Sequence, residues 1–426
     1  MKNIFNIFII NGLLLVSTFG QDSLKRKLPK EEIDISITFN DETILKNQEQ
    51  IHRLLQNFSK NESQFIVRNF SYKYNEEEDK PEDNPIEKKK VITKSFTVDV
   101  KDKLSINNQH GEVKVELWNK NEVKVDITIT GYGNSEKKAQ ELLDNVEIID
   151  KREGEKISFK TLIDSDNDSW SWGNNWSWKG DKKDDDCNNC PTNKKGVEVN
   201  YMIYMPRTNS LSVSNKYGKT IIAQFAAPLR ITSNYGSFTS DRLTGADKDI
   251  FVQYGSSNIK QMDDGDLHIA YSKLNIDKAD NLKLTNNYGS VTLDDINNLD
   301  GTFQYSSGKI GRINETGKLS ISYSDGVQLS ELSKTLKSLD IRSNYTAVKL
   351  PVNGDVNADF EVTTTYANFR YPQGKLTFTV NPDENEDDDR KMGWQSTKTY
   401  KGKIGKGSNT KITIKTNYAG VKFIEK

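Results

Sequence analysis

Along residues 211–426, apolar residues fall at alternate positions in short runs, and the runs end alike. Each carries a version of the phrase Leu-x-Ile-x-small-x-Tyr-Gly-x-Val-x-Leu. The tyrosines are Tyr217, Tyr235, Tyr254, Tyr271, Tyr288, Tyr305, Tyr323, Tyr345, Tyr366 and Tyr418. Neighbouring tyrosines lie 17 to 22 residues apart, except for a gap of 52 before the last. Alternation marks strands with one buried face, because successive side chains point to opposite sides of a strand. A fixed period of this length marks stacked units. The period is too short for a strand plus a full helix. The pattern therefore predicts an all-β solenoid of short parallel strands, each paired with its equivalent one turn away. At ~4.8 Å between strands, ten turns make a rod of roughly 50 Å.

Parity within the unit predicts which residues face inward. The fourth residue before the tyrosine is Val213, Ile231, Ile250, Leu267, Leu284, Gly301, Leu319, Ile341, Val362 or Ile414, apolar in all but one unit. The period of two places the tyrosine on that same inner face. The tyrosines are therefore expected as an inward ladder beside a corner of small residues: Gly218, Gly236, Gly255, Ser272, Gly289, Ser306, Ser324, Thr346, Ala367 and Ala419. Glycine suits a corner where the backbone takes unusual angles or neighbours crowd closely.

The same phrase occurs earlier, at Leu104 to Val115, with His110 in the tyrosine slot. Strands are expected at 123–129, 146–149 and 157–162, with a helix over 135–144. Residues 21–90 are polar and mixed. Thr43 to Phe58 has apolar residues at helical spacing, and residues 75–90 form a charged, proline-containing linker. Residues 1–20 resemble an export signal: Lys2, then a mostly apolar stretch from Ile4 to Val16, then small residues before Gln21. No later segment reaches the length of a membrane span.

Composition narrows the partners. The chain has 426 residues, with 60 Lys plus Arg against 61 Asp plus Glu, so no net field draws it to nucleic acid. Only 34% of residues are hydrophobic, which fits a thin core in which each unit touches its neighbours alone.

A long interruption at 164–196 holds most of the remaining candidate chemistry. Trp170, Trp172, Trp176 and Trp178 alternate in two pairs, as in a hairpin whose rings pack together, or as a projecting aromatic platform for a glycan or protein. Cys187 and Cys190 form C-N-N-C, and in an exported chain the plainest reading is a local disulfide. A zinc site needs four ligands, and the only histidines, His52, His110 and His268, are far apart in sequence. A thioredoxin-type thiol pair lacks its strand-to-helix setting. Asp164, Asp166 and Asp168 open like a calcium loop, but its glycine and distal glutamate are missing, which favours a solvated acidic loop. A second acidic loop is expected at 381–392.

Three stretches together resemble one family. Residues 94–131 hold a glycine-led strand, a tryptophan turn and a second strand. Residues 197–222 hold an alternating strand, the Pro206 turn and the first Tyr-Gly unit. Residues 401–423 hold closing glycine turns and a last unit. In that order they resemble the bacterial exported proteins known as the "putative adhesin" family, of the head-domain adhesin group. The resemblance covers roughly residues 91–426. It implies a right-handed parallel β-helix at the cell envelope, with no established activity.

No phosphate loop, nucleophile elbow or zinc-protease motif occurs. The leading expectation is a non-enzymatic exported protein, adhesin-like or a scaffold, that binds an envelope polymer, glycan or surface protein and needs no cofactor. It is placed in the periplasm, at the outer-membrane surface or outside the cell. The first rival is a polysaccharide lyase or hydrolase, which needs carboxylates, or carboxylates with Lys or Arg, aligned on adjacent turns. The second rival is an envelope-stress sensor.

Overall fold

The computed structural model describes residues 85–164, 196–352, 356–385, 396–407 and 410–425, together with four strands nearer the N-terminus. The chain divides into two units, Met1–Glu82 and Asp83–Lys426. In the first, Ile7–Ile10 pairs antiparallel with Leu13–Val16, and Glu31–Phe39 pairs parallel with Phe65–Tyr74. The helix expected over Thr43 to Phe58 lies outside the described residues.

The second unit is all-β and solenoid-like. From Lys103–Gln109 through Lys411–Asn417, strands pair in parallel with their counterparts in neighbouring repeats. Register is held because apolar residues stack on apolar residues. Leu104, Leu211 and Leu229 form one inward column, and Ile106, Val213, Ile231 and Ile250 form the next. Each buried Leu or Ile contributes about 1.5–3 kcal/mol over its exposed state. A register slip of one residue would expose a whole column. The exception in the inner pattern, Gly301, is filled from two residues along its own strand: a Cβ there would lie 2.7 Å from the ring of Phe303, which is fully buried.

An antiparallel layer closes the N-terminal end of the unit. Ile86–Thr97 pairs with Glu122–Gly133, which pairs with Gly196–Pro206. Val146–Glu153 pairs with Lys156–Ile163, and the latter joins the parallel ladder beside Lys103–Gln109. The expected helix forms at Glu136–Asp144. Ser135 caps it, its hydroxyl accepting from the Lys138 amide at 3.2 Å, and Ala139, Leu142 and Leu143 are buried.

At the C-terminal end, chain order and spatial order part. Lys411–Asn417 lies between Ser338–Asn344 and Ala358–Thr365, pairing in parallel with both. Val421–Ile424 likewise pairs with Val348–Pro351 and with Phe369–Arg370. The last segment of the chain is thus an interior rung. The segment between contributes a hairpin instead: Thr397–Ile404 pairs antiparallel with Ala358–Thr365 and with Leu376–Val380.

Candidate functional site

The tyrosines stand outside the barrel of leucines and isoleucines, not inside it. Their fractional exposures run from 37% at Tyr217 to 54% at Tyr366. This overturns the inward ladder that simple parity predicts, and the cause is backbone geometry. Every one of the ten tyrosines, and His110, has a φ between 48° and 62°. One left-handed residue breaks the alternation. Asn215 is buried, Lys216 and Tyr217 are both exposed, and Gly218 is buried again. The phase therefore flips at the tyrosine itself, and the small residue after it takes the inner position.

That small residue shows why the corner tolerates little. A Cβ on Gly218 would collide with the carbonyl of Gly111, one on Gly236 with that of Gly218, and one on Gly255 with that of Gly236. Further along, hydroxyls replace the glycines and make hydrogen bonds. Ser272 Oγ accepts from the Gly255 amide at 2.9 Å and donates to the Ala270 carbonyl at 2.7 Å. Ser324 Oγ accepts from the Ser306 amide at 3.1 Å, and Thr346 Oγ1 accepts from the Ser324 amide at 2.9 Å.

The rings form one continuous stack. In spatial order it runs His110, Tyr217, Tyr235, Tyr254, Tyr271, Tyr288, Tyr305, Tyr323, Tyr345, Tyr418, Tyr366. Adjacent centroids are 4.8 to 5.3 Å apart, and planes deviate by 1° to 24°. The backbone sets this spacing. Each tyrosine amide except that of Tyr366, the last ring, donates to the carbonyl before the next ring in the stack, as Tyr217 does to Asn234 at 2.9 Å and Tyr271 to Asn287 at 3.0 Å. Because ring faces lie against ring faces, the stack offers ring edges and hydroxyls to solvent.

A left-handed backbone costs a residue with a Cβ about 1–2 kcal/mol, and glycine or asparagine would reduce that cost. A repeat that needed only the corner would use them. Stacking returns about 0.5–1.5 kcal/mol per pair, so the stack offsets its own strain while keeping a row of rings in solvent. Strained residues that persist in numbers point to use.

The stack is flanked by largely uncharged columns. On one side stand Gln109, Asn234, Gln253, Asn287, Gln304, Asn344 and Asn417, with Ala270, Ser322, Thr365 and Lys216 in the remaining rungs. On the other stand Ser237, Ser256, Ser290 and Ser307, with Glu112, Lys219, Lys273 and Asp325.

His110 begins the stack, 4.9 Å from Tyr217. Burial, and then the nearby Lys216 ammonium, push its pKa down to about 4. Beside it a buried network ties the first rungs together. Thr161 donates to Asn108 Oδ1 at 2.9 Å, and Asn108 donates to the Val199 carbonyl at 2.9 Å. Asn215 donates to the carbonyls of Gly111 and Lys219, each at 3.0 Å.

A second surface feature was not legible as a set in the sequence. Asp266, Lys283, Asp300, Lys318 and Asp340 fall in register on successive rungs. They edge an open groove of about 680 Å³. Here carboxylates and lysines do align, the kind of set that the lyase or hydrolase reading requires. They are spent on each other: Lys283 bridges Asp266 at 2.6 Å and Lys318 bridges Asp300 at 3.1 Å. His268 joins the same cluster, with its Nε2 3.2 Å from Asp266.

Trp170, Trp172, Trp176, Trp178, Cys187, Cys190, Asp166 and Asp168 lie outside the described residues. Asp164 is described, and its amide donates to the Asn145 carbonyl at 2.9 Å. Of the acidic loop at 381–392, Asp383 accepts from the Tyr400 hydroxyl and bridges Lys398 at 3.0 Å.

No family model and no curated protein matches the chain. Among solved structures it is similar to a "putative cell adhesion protein" from Clostridium sporogenes, at 10% identity and a TM-score of 0.21, over 80% of this chain and 100% of that one. It is also similar to a "putative adhesin" from Bacteroides fragilis, at 12% identity and a TM-score of 0.28, over 79% of this chain and 97% of that one. A third likeness is to a "putative lipid binding protein" from Parabacteroides distasonis, at 9% identity and a TM-score of 0.28, over 78% of this chain and 96% of that one.

Proposed function

We propose that the chain is an exported, non-catalytic binding rod of the cell envelope, built on a right-handed parallel β-helix, and that its stacked tyrosines are the contact surface for an extended partner. One observation carries the reading: ten exposed tyrosines hold a left-handed backbone that asparagine or glycine would adopt at lower cost. The apolar stretch from Ile4 to Val16 supports export. The Trp-rich insertion at 164–196 is a second proposed contact, with Cys187 and Cys190 bridging its tip. Against a lyase or hydrolase, Asp249 and Asp266, carboxylates directly paired on adjacent rungs, are each held by a basic side chain, Arg230 and Lys283.

The test replaces Tyr271, Tyr288 and Tyr305 together by asparagine, which keeps the left-handed corner and removes the rings. Wild type should retain a component of envelope and polysaccharide fractions that the triple variant releases. Equal retention by a folded variant rejects the stack as the contact surface. Deleting residues 164–196 in parallel asks the same of the insertion.

A further inference from the structure

The geometry points to an uncharged, linear polysaccharide as the ligand of the tyrosine stack, laid lengthwise along the rungs. This rests on the reading of the stack as a contact surface and adds the chemistry of what it contacts.

The first argument is shape. Adjacent rings cover one another's faces at 4.8 to 5.3 Å, so a ligand meets edges and hydroxyls, and no sugar or side chain is sandwiched between rings. The surface is a row at the corner of each repeat. Protein partners typically anchor one aromatic or arginine in a desolvated pocket at the centre of an interface. The large described pocket lies elsewhere, along the Asp266–Asp340 row. A row suits a chain.

The second argument is charge. Of the stack's flanking groups, most are amides and hydroxyls, and the charges, Lys216, Lys219 and Lys273 with Glu112 and Asp325, are few and of mixed sign. A nucleic acid or acidic glycan binds through many phosphates or carboxylates met by Lys or Arg, and three lysines over eleven rungs do not supply that. The rod does carry aligned charges, on the row Asp266, Lys283, Asp300, Lys318 and Asp340, which is a different column of the repeat.

The third argument is hydrogen-bonding character. Phenols and carboxamides both donate and accept. A row of groups with both capacities is complementary to a polymer whose groups also have both, and ring hydroxyls do.

The fourth argument is repetition. Successive rungs present nearly the same groups, so a ligand gains by repeating too. Each rung adds a weak contact, and linked weak contacts multiply into avidity. Affinity should therefore climb with ligand length until the stack, about 50 Å at the strand spacing, is covered.

The experiment measures binding of the full chain to size-graded neutral oligosaccharides: β-1,4-glucose, β-1,4-N-acetylglucosamine and α-1,4-glucose series, with the parent polymers. Polygalacturonate, heparin and an unstructured peptide run alongside, each at low and high salt. The inference expects at least one neutral series to bind, with affinity rising at each added sugar, little change with salt, and a loss of about tenfold or more in the Tyr271, Tyr288, Tyr305 to asparagine variant. Preference for a polyanion or the peptide overturns it. So does neutral-sugar binding that the variant keeps. If no neutral glycan binds while the variant still releases an envelope component, the polysaccharide assignment fails and the contact surface stands. If wild type and variant behave alike throughout, both fail.

Discussion

Tyr418 stacks on Tyr345 with 4.8 Å between ring centroids and 7° between planes, although the longest gap in the tyrosine spacing precedes Tyr418. Tyr366, which comes between them in sequence, stacks on the far side of Tyr418 at 5.3 Å. The last segment is therefore a wedge, and its buried Ile412 and Ile414 fill the core between two repeats. Ile414→Asp puts a carboxylate there. A buried, unpaired charge is strongly destabilising. Hydrogen exchange should show residues 358–370 and 411–424 losing protection while residues 229–304 keep it, because in a solenoid each repeat leans on its neighbours. Uniform loss along the whole chain would show that the end is not an independent module.

The inner corner is the least forgiving place in the repeat. Gly236→Ala drives a methyl into the carbonyl of Gly218 and forces neighbouring strands apart. Thermal or urea unfolding should show a loss above about 3 kcal/mol, beyond the range of ordinary substitutions. Ser306→Ala has room for its Cβ and gives up hydroxyl hydrogen bonds to the carbonyls of Gln304 and Asn286. Its loss should stay near 1–2 kcal/mol. Equal losses at the two positions would mean that crowding does not set the glycine pattern.

Much of this fold was legible in the sequence, because alternation and period are local. The strands, the Ser135-capped helix and the match of His110 to the tyrosine slot follow from residues close together. The side of the tyrosines was not legible. Parity carries the inward face through Val213 and Asn215 to Tyr217, and only the left-handed φ of 58° at Tyr217 sends the ring outward. The one available signal was that parity resumes, shifted, at Gly218. The interior position of Tyr418 was hidden for another reason: sequence order says nothing of which repeat a returning strand joins. The Asp266 to Asp340 row was hidden by unequal repeat lengths, since register there shifts between Ile296 and Asn298.

The strain argument has its own test at a single rung. Tyr271→Asn should change stability by less than about 1 kcal/mol, because a relieved backbone offsets lost stacking against Tyr254 and Tyr288. Tyr271→Val should cost more, because a β-branched residue fits the left-handed region worst and supplies no ring. Denaturant midpoints of the two variants settle the order. Valine matching asparagine would remove the backbone-strain explanation.

His110 makes the start of the stack sensitive to acid. Its folded-state pKa is about 4, lowered first by burial and then by Lys216, while the unfolded chain titrates near the ordinary value of 6.5. Between those values the unfolded chain binds the proton and the folded chain does not, so stability falls as pH drops from about 6.5 to about 4. Above that window the group has no effect, and below it there is no further loss from this residue. The ring is partly open to solvent, so the contribution should stay under about 2 kcal/mol. His110→Tyr puts the repeat's own residue into the slot, where it stacks on Tyr217 and does not titrate in this range. Melting temperature followed across the window should fall more steeply in wild type than in His110→Tyr, and the two curves should run parallel above it. Curves parallel throughout would mean that protonation of His110 is not linked to folding.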